Sequence, residues 1–368
     1  MDALDRARET INQVDGQMAA LFQRRMEAVR LVAAYKQARG LPIFDAEREK
    51  AVIARNCAAY AEDETRSFYA SFLQDLMDVS KRYQHRLLEG MRVAYSGVVG
   101  AFADIAARAI FPDAVHTGYA NFSAAYRAVE AGECECAVLP IENSYAGVVG
   151  QVMDLMFEGD LYVNGIYTLP VTQNLLGLSG ASIKGIRTVV SHPQALAQCA
   201  EYIRLHGWET VAASNTAMAA REVAERGDPS VAAIASAETA ELYGLELLDH
   251  DINESNTNTT KFAVFSRVES KPASDESKFL LLFTVNDVAG ALAKAINVIA
   301  DYGFNMKALR SRPVRERAWQ YYFYVEAEGD ETAENGRNML NALAAECETL
   351  KIAGHYTTEI SLKKGRRS

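Results

Sequence analysis

From Asp5 to Arg39 the chain has no proline and a single glycine, Gly16, while apolar residues recur at Ile11, Val14, Met18, Leu21, Ala28, Val32 and Tyr35. That spacing is the heptad-like stripe of one long helix. At 1.5 Å per residue it runs about 50 Å, longer than a small domain, so its seam asks for another long helix from a second chain. Gly40-Leu41-Pro42 breaks the pattern, and Asp45 to Ala61 and Thr65 to Leu88 read as two further helices. Residues 1–90 are therefore expected to be all-helical and dimeric.

After Gly90 the pattern changes. Apolar runs rich in β-branched residues (RVAYSG, CAVLPIENS, RTVVSHP, VAAIAS, FAVFSR) alternate with helical stretches such as AAYRAVEAG and QALAQCAEYIRLHG, which predicts an α/β domain over 91–268. The run ESKPASDESK lacks apolar periodicity and reads as a linker. Residues 277–362 then follow strand, helix, strand, strand, helix, strand, an α+β unit of ferredoxin-like βαββαβ order. The final KKGRRS is expected to be frayed.

Composition narrows the function classes. A chain of 368 residues, 49% hydrophobic and 23% charged, belongs to multidomain globular proteins. No run approaches the ~18 apolar residues of a membrane span, and MDALDRARET is charged from its second residue, so a cytoplasmic, non-membrane protein is expected. A net charge of −10 argues against nucleic acid and implies that any anion site is locally basic. The five cysteines lack the paired spacing of a metal site and read as reduced, buried thiols; no metal or cofactor is expected.

Ile11, Met18, Arg25 and Val32 share one heptad position, so Arg25 sits where the pattern asks for an apolar residue. Lys36 follows eleven residues later, about three turns on, and projects from the same face. Asp45, Arg48 and Glu49 cluster on the next helix, Ser80 and Gln84 on the last. Two cations in an apolar seam expect an anion, although each residue singly could set coiled-coil register or lie on a solvated face. With Arg8, this set resembles the all-helical chorismate mutase family. The resemblance implies that Arg25, Arg48 and Arg8, the last from a partner chain, hold two carboxylates. Lys36 and Gln84 would bond the breaking ether oxygen, and Glu49, Asp45 and Ser80 would position the hydroxyl and its neighbours. The rearrangement is pericyclic and needs no proton transfer.

In the α/β segment, GVVGAF (97–102), PIENS (140–144), SHPQAL (191–196), SNT (214–216) and TKF (260–262) fall at strand-to-turn junctions, which line the ligand crevice of open α/β sheets. Ser191, Ser214 and Thr216 each also read as ordinary helix N-caps. Taken in order, the runs resemble the prephenate dehydratase domain, whose fold is two-lobed α/β and periplasmic-binding-protein-like. That resemblance implies Thr260 as the principal catalytic hydroxyl. Glu142, Asn143, Ser144, Ser191, Gln194, Ser214, Thr216, Lys261 and Phe262 would shape the cleft and bind substrate. His192, before Pro193, reads as a structural residue behind it. Three departures from the family pattern stand out: Val98-Val99 in place of proline, Ala103 in place of a hydroxyl residue, and Lys261 in place of arginine. The lysine keeps the charge but loses the planar fork.

In the C-terminal segment, Gly290-Ala291-Leu292 and Arg310-Ser311-Arg312-Pro313 resemble the paired motifs of an ACT domain, which imply a phenylalanine site formed by Gly290, Ala291, Leu292, Ser311, Arg312 and Pro313. Arg310 stands where that family has glutamate. The whole chain thus resembles a bifunctional enzyme acting on chorismate and prephenate, phenylalanine-regulated, as a homodimer or higher homo-oligomer. A non-enzymatic regulator would explain the architecture but not Arg25 and Lys36 in one seam. A nicotinamide-dependent middle domain would need G-x-G-x-x-G, and Gly97-Val98-Val99-Gly100 has the wrong spacing.

Overall fold

The structure, a computed structural model, describes residues 2–58, 64–255, 257–270, 277–315, 317, 319–357 and 359–362. The far end of the second predicted helix, most of the expected linker and the terminal KKGRRS lie outside the described residues. Two compact units separate at Arg92 and Val93.

The first unit is α1 (Ala3–Arg39), α2 (Ala46–Cys57) and α3 (Arg66–Glu89). Asp2 and Asp5 form a reciprocal capping box at the start of α1, and Gly40, at φ 62°, turns its end by donating to the Lys36 and Gln37 carbonyls. Along α1 only Ala33 is buried among the described side chains; the stripe of Ile11, Val14, Met18, Leu21, Val32 and Tyr35 is 43–59% exposed. An open apolar stripe of this length marks an interaction face.

The second unit runs β1 (Arg92–Ser96), α4 (Phe102–Ile110), β2 (Val115–Tyr119), α5 (Phe122–Glu130), β3 (Cys136–Asn143), β4 (Gly147–Val148), α6 (Gly150–Glu158), β5 (Tyr162–Pro170), β6 (Asn174–Gly177), β7 (Thr188–Ser191), α7 (Pro193–Gln198), α8 (Ala200–His206), β8 (Glu209–Ala212), α9 (Thr216–Arg226), β9 (Val231–Ala235), α10 (Ala237–Tyr243), β10 (Glu246–Asp249) and β11 (Thr259–Ser266). It continues with β12 (Lys278–Thr284), α11 (Ala291–Asp301), β13 (Asn305–Pro313), β14 (Tyr321–Glu328), α12 (Glu334–Glu346), β15 (Thr349–Tyr356) and β16 (Ile360–Ser361). Among the described residues one sheet has the order β13-β14-β12-β15-β5-β11-β3-β1-β2, with β16 beside β5 and β4 beside β3; a second has the order β10-β6-β9-β7-β8. The chain leaves the first sheet after β5 and returns as β11, antiparallel between β3 and β5, which makes two α/β lobes joined by two crossings.

The predicted βαββαβ order over β12 to β15 is present, and α11 and α12 cover Phe279, Leu281, Phe283, Val325 and Ala327 on one face. The other face is equally buried. Leu280, Leu282, Tyr322, Tyr324 and Tyr356 pack into one core with Val152, Met153 and Met156 of α6. Pairing of Gly354 on β15 with Val163 on β5 joins β12 to β15 with the strands of the first lobe in one sheet. An added Cβ at Gly354 would lie 2.1 Å from the Val163 carbonyl oxygen, so only glycine allows the join. The stretch expected to separate two domains is therefore not a boundary of packing.

Four cysteines are buried and Cys347 is half-buried; burial pushes the Cys136 and Cys199 thiols up to about 12, which keeps them protonated. No helix among the described residues is long and apolar enough to cross a membrane.

Candidate active sites

In the helical unit the Arg25 guanidinium reaches across to α3, donating to Ser80 Oγ and, at 3.3 Å, to the Leu76 carbonyl. Burial lowers its pKa from the usual arginine value. One turn on, Gln84 is 6% exposed and donates to the Ser80 carbonyl, leaving its Oε1 buried without a partner. A buried acceptor without a partner, beside a desolvated cation, is costly and suits a ligand that is both anionic and a donor.

Lys36 is held at 2.5 Å to the Ile43 carbonyl, and Glu49 lies 3.1 Å from Lys81 Nζ and 3.4 Å from Gln74 Nε2. Lys81, absent from the sequence reading, bridges Glu49 and Asp78 across elements 32 residues apart, so no local pattern announced it. Asp45 is spent as the N-cap of α2, accepting from the Arg48 amide at 3.0 Å. Arg8 and Arg48 are exposed. The unit thus brings Arg25, Ser80 and Gln84 together and leaves Arg8, Asp45 and Arg48 at its surface.

In the second unit a cavity of about 320 Å³ opens between the lobes, lined from the first by Ala101, Phe102, Ala103, Pro140, Asn143 and Val149, and from the second by His192, Gln194, Asn215 and Thr216. Thr260 and Phe262 reach it from β11, and Gln173 stands at the first crossing. Asn143 faces Thr260 across the ladder, and its Nδ2 donates to Thr260 Oγ1 at 3.0 Å, to Asn258 Oδ1 at 2.9 Å and to the Thr259 carbonyl at 3.1 Å. Asn143 Oδ1 accepts from the Tyr145 and Ala146 amides, which fixes the orientation of this side chain. With one lone pair of Thr260 taken by an amide donor, its own proton is free to point into the cavity.

The register slips between Lys261 and Phe262, where Ile141 is the unpaired extra residue of a β-bulge on β3. The bulge turns both Pro140 and Asn143 toward the cavity and sends Ile141 and Glu142 to the back. Five of the expected residues, Asn143, Gln194, Thr216, Thr260 and Phe262, line the cavity; Glu142, Ser144, Ser191, Ser214 and Lys261 do not. Lys261 faces the back of the sheet, 2.7 Å from Glu359 and 4.0 Å from Glu142, a correction to its expected substrate contact that follows from strand alternation. Ser144 pins the β3 turn by donating to the Thr257 carbonyl and accepting from the Thr259 amide. Ser191 donates to the Ile234 carbonyl, and Ser214 is exposed. Neither Ser191 nor Thr216 is an N-cap; His192 and Asn215, each one residue removed, do that work.

A second correction concerns charge. The lining contains no lysine or arginine among the described residues. The first turns of α4 and α9 and the start of α6 border the cavity instead, and α4 has no side-chain cap. Backbone amides at helix starts can receive an anion without a basic side chain. Gln173 and Gln198, joined at 3.3 Å, are further lining residues the sequence reading missed; the only local signal was an amide in the apolar run VTQNLL.

Of the expected effector residues, Gly290 caps α11 at φ 85°, Ser311 and Pro313 are exposed, and Arg312 turns inward to a two-pronged pair with Asp154 at 2.9 and 3.1 Å. Arg310 likewise turns inward, 2.6 Å from Glu142.

Comparison with known proteins supports this partition. Residues 7–85 match the family model for chorismate mutase type II, 93–270 that for prephenate dehydratase and 279–345 that for the ACT domain. A bifunctional chorismate mutase/prephenate dehydratase of Enterobacter agglomerans is 32% identical over 96% of this chain and 95% of its own length. The chain belongs to the bifunctional chorismate mutase/prephenate dehydratase family. Among solved structures, the prephenate dehydratase of Arthrobacter aurescens in complex with L-Phe is similar at TM-score 0.68 and 27% identity, covering 73% of this chain and 90% of that one. A quorum-quenching acylase, GqqA, is similar at TM-score 0.68 and 33% identity, covering 73% and 98%. The three family segments follow one another as mutase, dehydratase and ACT domain, and both candidate sites fall within the first two.

Proposed function

We propose that the helical unit rearranges chorismate to prephenate and that the interlobe cavity converts prephenate to phenylpyruvate, as a step in phenylalanine formation. The Asn143–Thr260 pair inside the cavity carries the dehydratase reading. Prephenate loses its ring carboxylate as carbon dioxide while the bond to the ring hydroxyl breaks. The electron pair of the departing carboxylate enters the ring, which becomes aromatic, and hydroxide leaves with one proton as water. Aromatisation supplies the driving force, so the leaving oxygen needs a positioned donor more than a strong acid. Thr260 provides that donor, and the first turns of α4 and α9 receive the side-chain carboxylate.

In the mutase, Arg25 binds a carboxylate, Lys36 and the second Nε2 hydrogen of Gln84 donate to the ether oxygen, and Glu49 and Ser80 hold the hydroxyl region. The open stripe on α1 supports a second copy, whose own α1 would fill the seam and bring Arg8 and Arg48 of the pair into play. The L-Phe complex of the Arthrobacter protein supports phenylalanine as effector at the ACT domain.

The likeness to an acylase suggests acyl transfer as a second reading. That chemistry needs a base to strip a nucleophilic hydroxyl. Thr260 Oγ1 instead receives a hydrogen bond from an amide donor, which leaves its proton in place. Incubation with chorismate tests the proposal: phenylpyruvate supports both activities, prephenate alone only the mutase, and neither product removes both. For the sensor, calorimetry with phenylalanine should show binding, and no heat at millimolar ligand would remove it.

A further inference from the structure

We propose that Arg310 is a positioning residue for the dehydratase site, bracing the Asn143–Thr260 pair from behind the sheet; this rests on the dehydratase reading above. Arg310 lies on β13 of the ACT segment, and its Nη2 is 2.6 Å from Glu142 Oε1 with its guanidinium 5.5 Å from the Tyr324 ring. Glu142 is the immediate neighbour of Asn143 on β3, and Lys261 of Thr260 on β11; Glu142 and Lys261 face each other across the ladder, as Asn143 and Thr260 do. In a strand, adjacent residues share a backbone but project to opposite faces. The two residues that meet in the cavity therefore have, as nearest neighbours, the two that meet the ACT segment.

Each of these rear groups is held from outside the lobe. Glu142 is gripped by Arg310, and Lys261 by Glu359, with Glu142 and Lys261 themselves 4.0 Å apart. Glu142, Lys261 and Arg310 border a void of only about 10 Å³, and with Glu359 they are about one-quarter to one-third exposed. They also sit beside the Ile141 bulge, where the β3–β11 ladder is irregular. An external clamp acts most where the ladder is irregular. The charge at position 310, opposite to that of the family motif, is thus matched to Glu142.

The test is a double-mutant cycle in the full-length protein with Arg310→Met, Glu142→Gln and the double variant, measuring prephenate turnover. Arg310→Met should lower dehydratase kcat on the order of tenfold, because small misplacements of reacting groups cost that much. KM should change by less than about threefold, since Arg310 does not line the cavity. The double variant should be no worse than the poorer single one. Circular dichroism and the unfolding midpoint of the second unit report its folding, and Arg312→Met, which frees α6 rather than β3, separates loss of docking from loss of positioning. A kcat within about twofold of the unaltered protein, additive losses in the cycle, or an equal kcat loss in Arg312→Met would overturn the inference. If the unaltered protein forms no phenylpyruvate, the dehydratase reading itself fails.

Discussion

Thr260→Val isolates the hydroxyl on which the dehydratase reading turns. Thr260 is 9% exposed, and valine replaces its hydroxyl by a methyl of similar size. Its cost to folding is small for a specific reason. Asn143 Nδ2 has two hydrogens and three acceptors, and without Thr260 it still reaches Asn258 Oδ1 at 2.9 Å and the Thr259 carbonyl at 3.1 Å. No buried donor is orphaned, so the loss is about 1 kcal/mol or less. The loss to catalysis is larger. Removing one preorganised donor from a site of developing negative charge costs about 10² to 10³ in kcat, or about 2.7–4 kcal/mol of barrier. Dehydratase kcat should therefore fall by about two decades or more, while mutase turnover by the same preparation is unchanged. Thr260→Ser, which keeps the hydroxyl, should recover most of the rate. Phenylpyruvate appearance from prephenate measures both variants. A valine variant within about threefold of the parent kcat would refute the assignment of Thr260 as donor.

Gly354→Ala should destabilise the second unit by about 3 kcal/mol or more in denaturant unfolding, because the new Cβ meets backbone at φ 148°; a cost below about 1 kcal/mol would contradict the sheet junction. His355 is 2.5 Å from Glu269 and 2.9 Å from Glu331; burial opposes its charge, but the two carboxylates outweigh it and raise its pKa. The stabilisation is therefore full below the unfolded pKa of about 6.5 and lost as pH rises through the higher folded value. Melting temperatures should decline on that alkaline side, and His355→Gln should flatten the decline; parallel curves would refute it. Asp154 behaves oppositely: burial favours its neutral form, but Arg312, Tyr322 and Arg315 prevail and lower its pKa. Its contribution is present above the unfolded value of about 3.9 and is lost as pH falls through the folded one, so Asp154→Asn should reduce the acid dependence of unfolding, and an unchanged acid limb would count against it.

Helices and strands were legible because their signals are local: the α1 stripe, the Gly40 stop and the βαββαβ order all appear where periodicity and turn residues put them. The sites were legible only in part, and strand geometry explains the division. Glu142-Asn143 and Thr260-Lys261-Phe262 read as continuous motifs, but alternation admits Asn143, Thr260 and Phe262 to the cavity and sends Glu142 and Lys261 behind it. The Ile141 bulge, which decides where that alternation resets, leaves no mark in PIENS. An anion site was sought in basic side chains, whereas the cavity is bordered by helix starts whose convergence is a property of the two lobes. Ser191 and Thr216, which each also read as a possible N-cap, lie one residue from the actual caps, and Thr216 lines the cavity. Arg310 shows the same limit most sharply. Beside Ser311 and Pro313 in sequence it is a reversed charge in an effector motif; in space its partner is Glu142, 168 residues away, next to the amide that orients Thr260. What a substitution means is set by the charge it meets, and that neighbour is supplied by the fold.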